Sequence, residues 1–438
     1  MRRWFMLWPA AGLVFVVFTL YVRREQLAPS LLRPNAKPKA APSAPAAAVP
    51  SAAIPGTSDG VLSQETRAAY IYAIMSPEAT DLPRLQCPKL ETARYQDLQL
   101  SSDTMSPEIR YFFAIDLRQC LTLLPRLLGS VVEAIRFLGP QNCALSIIEG
   151  NSDDGTTEVL AALRPELEAL GTNYYFSSSD INPKKGDRIE ALARLRNLAL
   201  QPIFDDAVDT FSSSSNRKRN LFSVSTTIIF LNDVAACPED ILELTYQHAH
   251  LGADLVCGMD WTYVGRDPTF YDVWIARGLV GDSFFEIPPD GNWNSARNLF
   301  WNDDVAGDRF RAHKPFQVFS CWNGAAVFTA APLLEKGVRF RRPREGECHQ
   351  GEPQLFCKDL WWHGYGKIAV VPVVNLEYSN EAGVKIKEAK GYTSQWVETA
   401  GWQDDGVEWQ KEPPEKVKCM GVYSKQFFEA WNKTQAGT

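Results

Sequence analysis

The 438-residue chain has nine cysteines but no CxxC pair and no Cys/His spacing of the kind that builds a structural zinc site. It has no basic excess either. Its 45 Lys and Arg stand against 52 Asp and Glu, and a net charge of −7 argues against a general nucleic-acid binder, whose phosphate affinity comes from clustered cations. A shortage of apolar residues is also absent. At 45% hydrophobic and 11% aromatic the chain can bury a large core, which excludes wholesale disorder and a small disulfide scaffold. The cysteines do not decide the compartment: nine leave at least one unpaired, and spacing does not determine which pairs form. One glycosylation sequon, at Asn432, is too little to decide it.

A charge-free apolar run covers residues 4–22, between Arg2-Arg3 and Arg23-Arg24. As a helix it rises about 28 Å, enough to cross a hydrocarbon core. Trp4, Trp8 and Tyr21 stand near its ends, where amphipathic rings favour the interface. The run exceeds the apolar region of a usual signal peptide, so a retained single-pass anchor is expected, with residues 1–3 as a cytoplasmic tip. Residues 23–60 turn to Pro, Ala and Ser, a composition that gives an extended stem. A polar, helix-leaning neck follows over 61–106, then a large globular domain over 107–400 and an extension over 401–438. Anchor, stem and globular domain in this order are the layout of a secretory-pathway enzyme.

The globular part alternates strands and helices. Strands are predicted at 111–115, 145–148, 173–176, 226–231 and 254–257, with helices at 121–137, 156–170, 188–200, 238–249 and 355–362. That alternation predicts an α/β fold, a Rossmann-type, mostly parallel sheet with helices on both faces. Ligands bind such sheets beyond the carboxyl ends of the strands. Asp116, Glu149, Asp153, Asp233 and Asp260 fall at or just beyond those ends. Any one of them suits a turn or a helix cap. Together they form an acidic rim that repels itself unless a cation sits there, and hard cations such as Mn2+ or Mg2+ take oxygen ligands.

Several motifs in order along the chain then resemble one family. EGNSDDGT at 149–156, FLNDV at 230–234, GMDW at 258–261, FYDVW at 270–274, FSCWNG at 319–324 and LFCKDLW at 355–361 resemble the fungal capsule-associated α-1,3-mannosyltransferases of glycosyltransferase family 69. The resemblance spans residues 111–378. It implies a type II Golgi-membrane enzyme of GT-A architecture, with its catalytic domain in the lumen, that uses a divalent metal to move mannose from GDP-mannose to a mannose-containing glycan, forming an α-1,3 linkage with retention. The alternatives are a transferase using another nucleotide sugar and a non-catalytic glycan-binding or assembly protein on the same fold.

The resemblance also assigns roles by position. Asp233, with Asn232, occupies the place of the metal-binding Asp-x-Asp, and His363 is a candidate last metal ligand. Glu149 and Asp153 are placed for the base and ribose, and Arg188, one of a set with Arg194 and Arg196, for the diphosphate. Trp322, Asn323 and Gly324 are expected on the acceptor side, with Trp261, Trp293, Trp301, Trp361 and Trp362 as rings that can stack on sugars. Glu352, preferred over Glu347, and Asp260 are the candidate carboxylates of the reaction centre. The basic run SSSSNRKRN at 212–220 is expected as a loop near donor phosphates or an anionic glycan.

Overall fold

The computed structural model describes residues 57–58, 61–99, 108–212, 221–398 and 405–435. The expected anchor at 4–22, nearly all of the stem, and residues 213–220 of the basic loop lie outside them. Among the described residues no helix is long and apolar enough to cross a membrane.

Nine strands form one central sheet: β1 (Tyr111–Leu117), β2 (Cys143–Glu149), β3 (Asn173–Ser178), β4 (Thr227–Leu231), β5 (Leu255–Val264), β6 (Asp267–Phe270), β7 (Phe316–Gln317), β8 (Ala325–Thr329) and β9 (Ile368–Leu376). Their order is β3-β2-β1-β4-β8-β5-β9-β7, with β6 paired to β5. The first four are parallel, so the chain reverses its direction of winding between β1 and β4. The other half corrects the expectation of a mostly parallel sheet. β8 runs antiparallel to both β4 and β5, and β7 and β6 run antiparallel to β9 and β5, while β9 is parallel to β5. The cause is the turn at residues 322–324. It delivers β8 at the carboxyl end of β4, where Ala325 pairs with Leu231, so the strand must run back.

Alternate strand residues face two cores, as a period of two requires. Phe113, Ile115, Leu145, Ile229 and Val327 face one, and Phe112, Ala114, Ile228, Phe230 and Phe328 the other. Helices Leu124–Leu138 and Pro238–His250 cover the first; Arg188–Ala199 and Glu352–Trp362 cover the second. The single helix expected at 156–170 is two, Thr156–Ala162 and Arg164–Leu170, because Pro165 has no N–H to continue the ladder.

Residues 61–99, expected as a neck, lodge Tyr70, Ile74, Leu85, Tyr95 and Leu98 in the first core, and the Cys87–Cys237 disulfide ties them to helix Pro238–His250. Near the C-terminus a hairpin, Lys416–Val422 with Lys425–Ala430, is fastened by Cys348–Cys419. A third disulfide joins Cys257 of β5 to Cys321, and the thiols of Cys120, Cys143 and Cys357 are free and buried.

Candidate active site

The reversal between β1 and β4 is where an α/β sheet opens a crevice at its carboxyl edge. Asp116 occupies the penultimate position of β1, and Asp233 follows β4 by two residues. Neither is solvated as a surface acid would be. Burial pushes the Asp233 carboxyl up to about 7, with the negative charge of Asp116 adding to the effect and Arg196 opposing it. Asp116 is likewise raised by burial, partly offset by Arg196.

Arg196 is the hub of this site. Asp187 caps its helix by accepting from the Ile189 and Glu190 amides, and the helix face that packs on β1 turns Arg196 inward beside Ala193 and Ala199. Its Nε donates to Glu352 Oε1 at 2.9 Å, Nη1 donates to Asn232 Oδ1 at 3.2 Å, and Nη1 stands 3.9 Å from Asp116 Oδ1. The guanidinium lies 4.7 Å from the Trp322 ring centroid and 5.2 Å from that of Phe230. Asp116 and Glu352 hold Arg196 above the ordinary guanidinium range against the effect of burial.

A second acidic pair lies on β5 and just after β6. Asp260 is fully buried; its Oδ1 accepts from the Asp272 amide at 3.2 Å and its Oδ2 from the Tyr378 hydroxyl at 2.6 Å. Burial drives Asp260 well above the carboxylate range, and the Asp272 charge drives it further. Asp272 is raised to about 6, chiefly by burial, with Arg196 pulling down and Glu352 pushing up. Its Oδ2 accepts from the Asn323 amide at 3.1 Å. Asn323 has φ 51° and Gly324 φ 82°, the left-handed region that costs an ordinary side chain strain. A Cβ on Gly324 would stand 3.0 Å from Val234 Cγ1, so glycine also permits the close approach of the turn to the end of β4.

The structure brings Asp116, Asp233, Asp272 and Glu352 into electrostatic reach of Arg196, and Asp260 into reach of Asp272. It redirects several expected residues. Asn232 does not fit as a metal ligand, because its side-chain oxygen accepts from Arg196 and from Trp322 Nε1 at 3.0 Å, and the charged donor repels a cation. His363 caps the far end of helix Glu352–Trp362, about 15 Å along the axis from Glu352, and is exposed there. Glu149 is buried with its carboxylate turned onto its own loop, accepting from the amides of Asn151 and Ser152 and the Thr157 hydroxyl. Asp153 is exposed and accepts from Gln119 Nε2 at 2.6 Å, tying the loop after β2 to the loop after β1. Arg188 is exposed at the start of its helix, and its charge reaches the Tyr271 hydroxyl.

The expected acceptor group is displaced as well. Trp322 and Asn323 are buried, Trp322 under Arg196 and Asn323 through its Nδ2 donation to the Gly258 carbonyl at 2.8 Å. They shape the floor of the site. Trp261 and Trp361 are buried core rings, Trp293 is half-buried against Tyr423, and Trp301 and Trp362 are exposed. Glu347 is held below the ordinary range, to about 2, by Arg341, Lys358 and the Arg344 amide, which outweigh its burial. The sequence alone does not single out Arg196, Asp272 or Tyr378 for these roles, although FYDVW contains Asp272. The sequence signal for Arg196 is its place among small residues on a helix face, where a solvated arginine is out of character.

The chemistry of this donor set fits a hard divalent cation. Asp116 and Asp233 are oxygen donors whose shared cost of burial a cation would relieve. Asp116, Asp233, Asp272 and Glu352 outnumber Arg196, the guanidinium that reaches all four.

A family model described as Cryptococcal mannosyltransferase 1 matches residues 110–359. The chain is 34% identical over 386 residues to alpha-1,3-mannosyltransferase CMT1 of Cryptococcus neoformans var. neoformans, covering 84% of this chain and 80% of that relative. Among solved structures, S. aureus TarS 1-349 aligns at 12% identity over 67% of each chain with a TM-score of 0.34. The mannosyltransferase PcManGT of Pyrobaculum calidifontis, in complex with GDP-Man and Mn2+, aligns at 10% identity over 72% of this chain and 64% of that one, also with a TM-score of 0.34. The match to the family model across the whole acidic site, with the relative's identity over most of both chains, establishes that this chain is a glycosyltransferase belonging to the fungal Cryptococcal mannosyltransferase 1 family.

Proposed function

We propose that the protein transfers mannose from GDP-mannose to a mannose-containing glycan, forming an α-1,3 linkage with retention, in a GT-A-type site that works with Mn2+ or Mg2+. The observation that carries this reading is the placement of Asp116 and Asp233 at the carboxyl edge where the winding reverses, beside a single buried guanidinium. Asp233 and Asp116 would hold the cation, which supplies charge against the diphosphate leaving group. Arg196 orients Glu352 through its Nε and sets a positive charge beside both Glu352 and Asp116. Arg188, exposed at the start of its helix with its charge reaching Tyr271, would meet phosphate oxygens. Asp272 lies within reach of the same centre and is the carboxylate positioned to stabilise positive charge developing on the sugar.

An anchored, lumenal Golgi location accords with three disulfides among the described residues, since such bonds persist in oxidising compartments. The test is transfer by the purified full-length protein from GDP-mannose, UDP-glucose and UDP-N-acetylglucosamine to a mannoside, with and without Mn2+. Metal-dependent transfer from GDP-mannose alone is expected. Equal use of a uridine donor, or turnover unaffected by chelation, overturns the reading.

A further inference from the structure

A cavity of about 300 Å3 opens beside the C-terminal end of helix Glu352–Trp362, with Lys336, Arg339, Arg341 and Arg344 in its wall and Asp359 as the carboxylate among its lining residues. That carboxylate is already neutralised. Arg341 donates to it through Nε at 2.6 Å and Nη2 at 2.8 Å, and Gln435 Nε2 donates at 2.6 Å. The other three cations have no ion pair among the described residues. Lys336 is exposed, Arg344 Nη1 donates to the neutral Gln435 Oε1 at 2.8 Å, and Arg339 donates to the Leu333 and Val338 carbonyls while its guanidinium lies 3.6 Å from the Phe204 ring centroid. What remains to an occupant is positive potential converging on a concave wall, which selects an oxyanion.

The wall also carries an aromatic face. Trp362 is 39% exposed and is backed by Trp431, with ring centroids 6.1 Å apart. An indole exposed in a charged cavity offers stacking to the apolar face of a sugar ring, which a simple ion site does not need. The volume lies at the small end of ligand pockets and suits a single substituted pyranose. Glu352 stands at the opposite end of the same helix, about 15 Å away along the axis, so this cavity is separate from the transfer site. We propose that it is a second saccharide subsite, which binds a sugar bearing an oxyanion, carboxylate or phosphate, by stacking on Trp362 and by charge through Lys336, Arg339 and Arg344.

The test is calorimetric titration of the full-length protein with glucuronic acid, glucose 6-phosphate, glucose and inorganic phosphate. At least one anionic sugar is expected to bind saturably, with glucose and inorganic phosphate each weaker by about tenfold or more. The stronger of the two anionic sugars identifies the oxyanion. Lys336→Gln with Arg344→Gln, and separately Trp362→Leu, are each expected to weaken that sugar by about tenfold while transfer to a neutral acceptor is unchanged. Thermal unfolding verifies that the variants fold. Glucose binding as tightly as the anionic sugars, inorganic phosphate doing so, no sugar binding, or variants that bind normally would each overturn the proposal.

Discussion

Arg196 Nε donates to Glu352 Oε1 at 2.9 Å, joining the last turn of one helix to the first turn of another across 156 residues of sequence. Both side chains are buried, and three further acids, Asp116, Asp233 and Asp272, feel the same guanidinium. The pair therefore does more than close a helix contact: it sets the charge balance of the whole centre.

Removing the cation strands its partners. Arg196→Met leaves Glu352 and Asp116 buried without compensation and should cost about 3–5 kcal/mol in urea denaturation. Glu352→Gln keeps an acceptor for Arg196 and should cost only about 1 kcal/mol, yet reduce transfer strongly. Equal stability losses for the two variants would show that Arg196 is not the hub.

The raised Asp233 carboxyl makes stability depend on pH in a definite direction. Its folded value of about 7 exceeds the ordinary carboxylate value near 4, so the folded state holds the proton more tightly. The associated stability is complete below about pH 4 and is lost as pH rises towards 7. Metal-free Asp233→Asn should therefore be more stable than the natural protein at pH 8, by on the order of 2 kcal/mol after allowance for partial solvent access, and equal to it near pH 4. Mn2+ should raise the melting temperature of the natural protein at pH 8 and leave that of Asp233→Asn unchanged. Stabilisation of both proteins by Mn2+ would move the cation elsewhere.

Trp322 distinguishes an acceptor contact from a buried support. Trp322→Phe keeps an aromatic face under Arg196 but removes the donor to Asn232. Stability should fall by about 1 kcal/mol and kcat by about tenfold, with the acceptor KM unchanged. A rise confined to acceptor KM would instead place the indole against the sugar.

Strand ends were legible because apolar runs stop at polar residues, and that alone put Asp116 and Asp233 on one edge of the sheet, whereas β5 runs on past its expected end at 257 and carries Asp260 within it. Strand direction was not legible, since periodicity says nothing of it, and the antiparallel insertion of β8 depends on a turn built by Asn323 and Gly324. Side-chain aim was hidden too. Glu149 sits at a strand end as expected but turns onto its own loop amides, and Asn232 adjoins Asp233 yet faces Arg196. Arg196 itself reads as one charge on a helical face until the helix is docked on β1.

The Cys257–Cys321 disulfide ties that turn to β5, one residue before Gly258, whose carbonyl accepts from Asn323. It closes a span of 64 residues, for which chain entropy gives about 4 kcal/mol of stabilisation. Its effect on function should fall first on Asp272, which the Asn323 amide holds, because Asp116 lies on β1 and Asp233 just after β4, on the other side of β8. Cys257→Ala with Cys321→Ala should lower the melting temperature and reduce kcat. It should leave the Mn2+-dependent affinity for GDP-mannose near that of the natural protein at a temperature where both are folded. Loss of donor affinity in step with kcat would mean that the turn supports the cation site itself, and that Asp272 and Asp233 act as one unit.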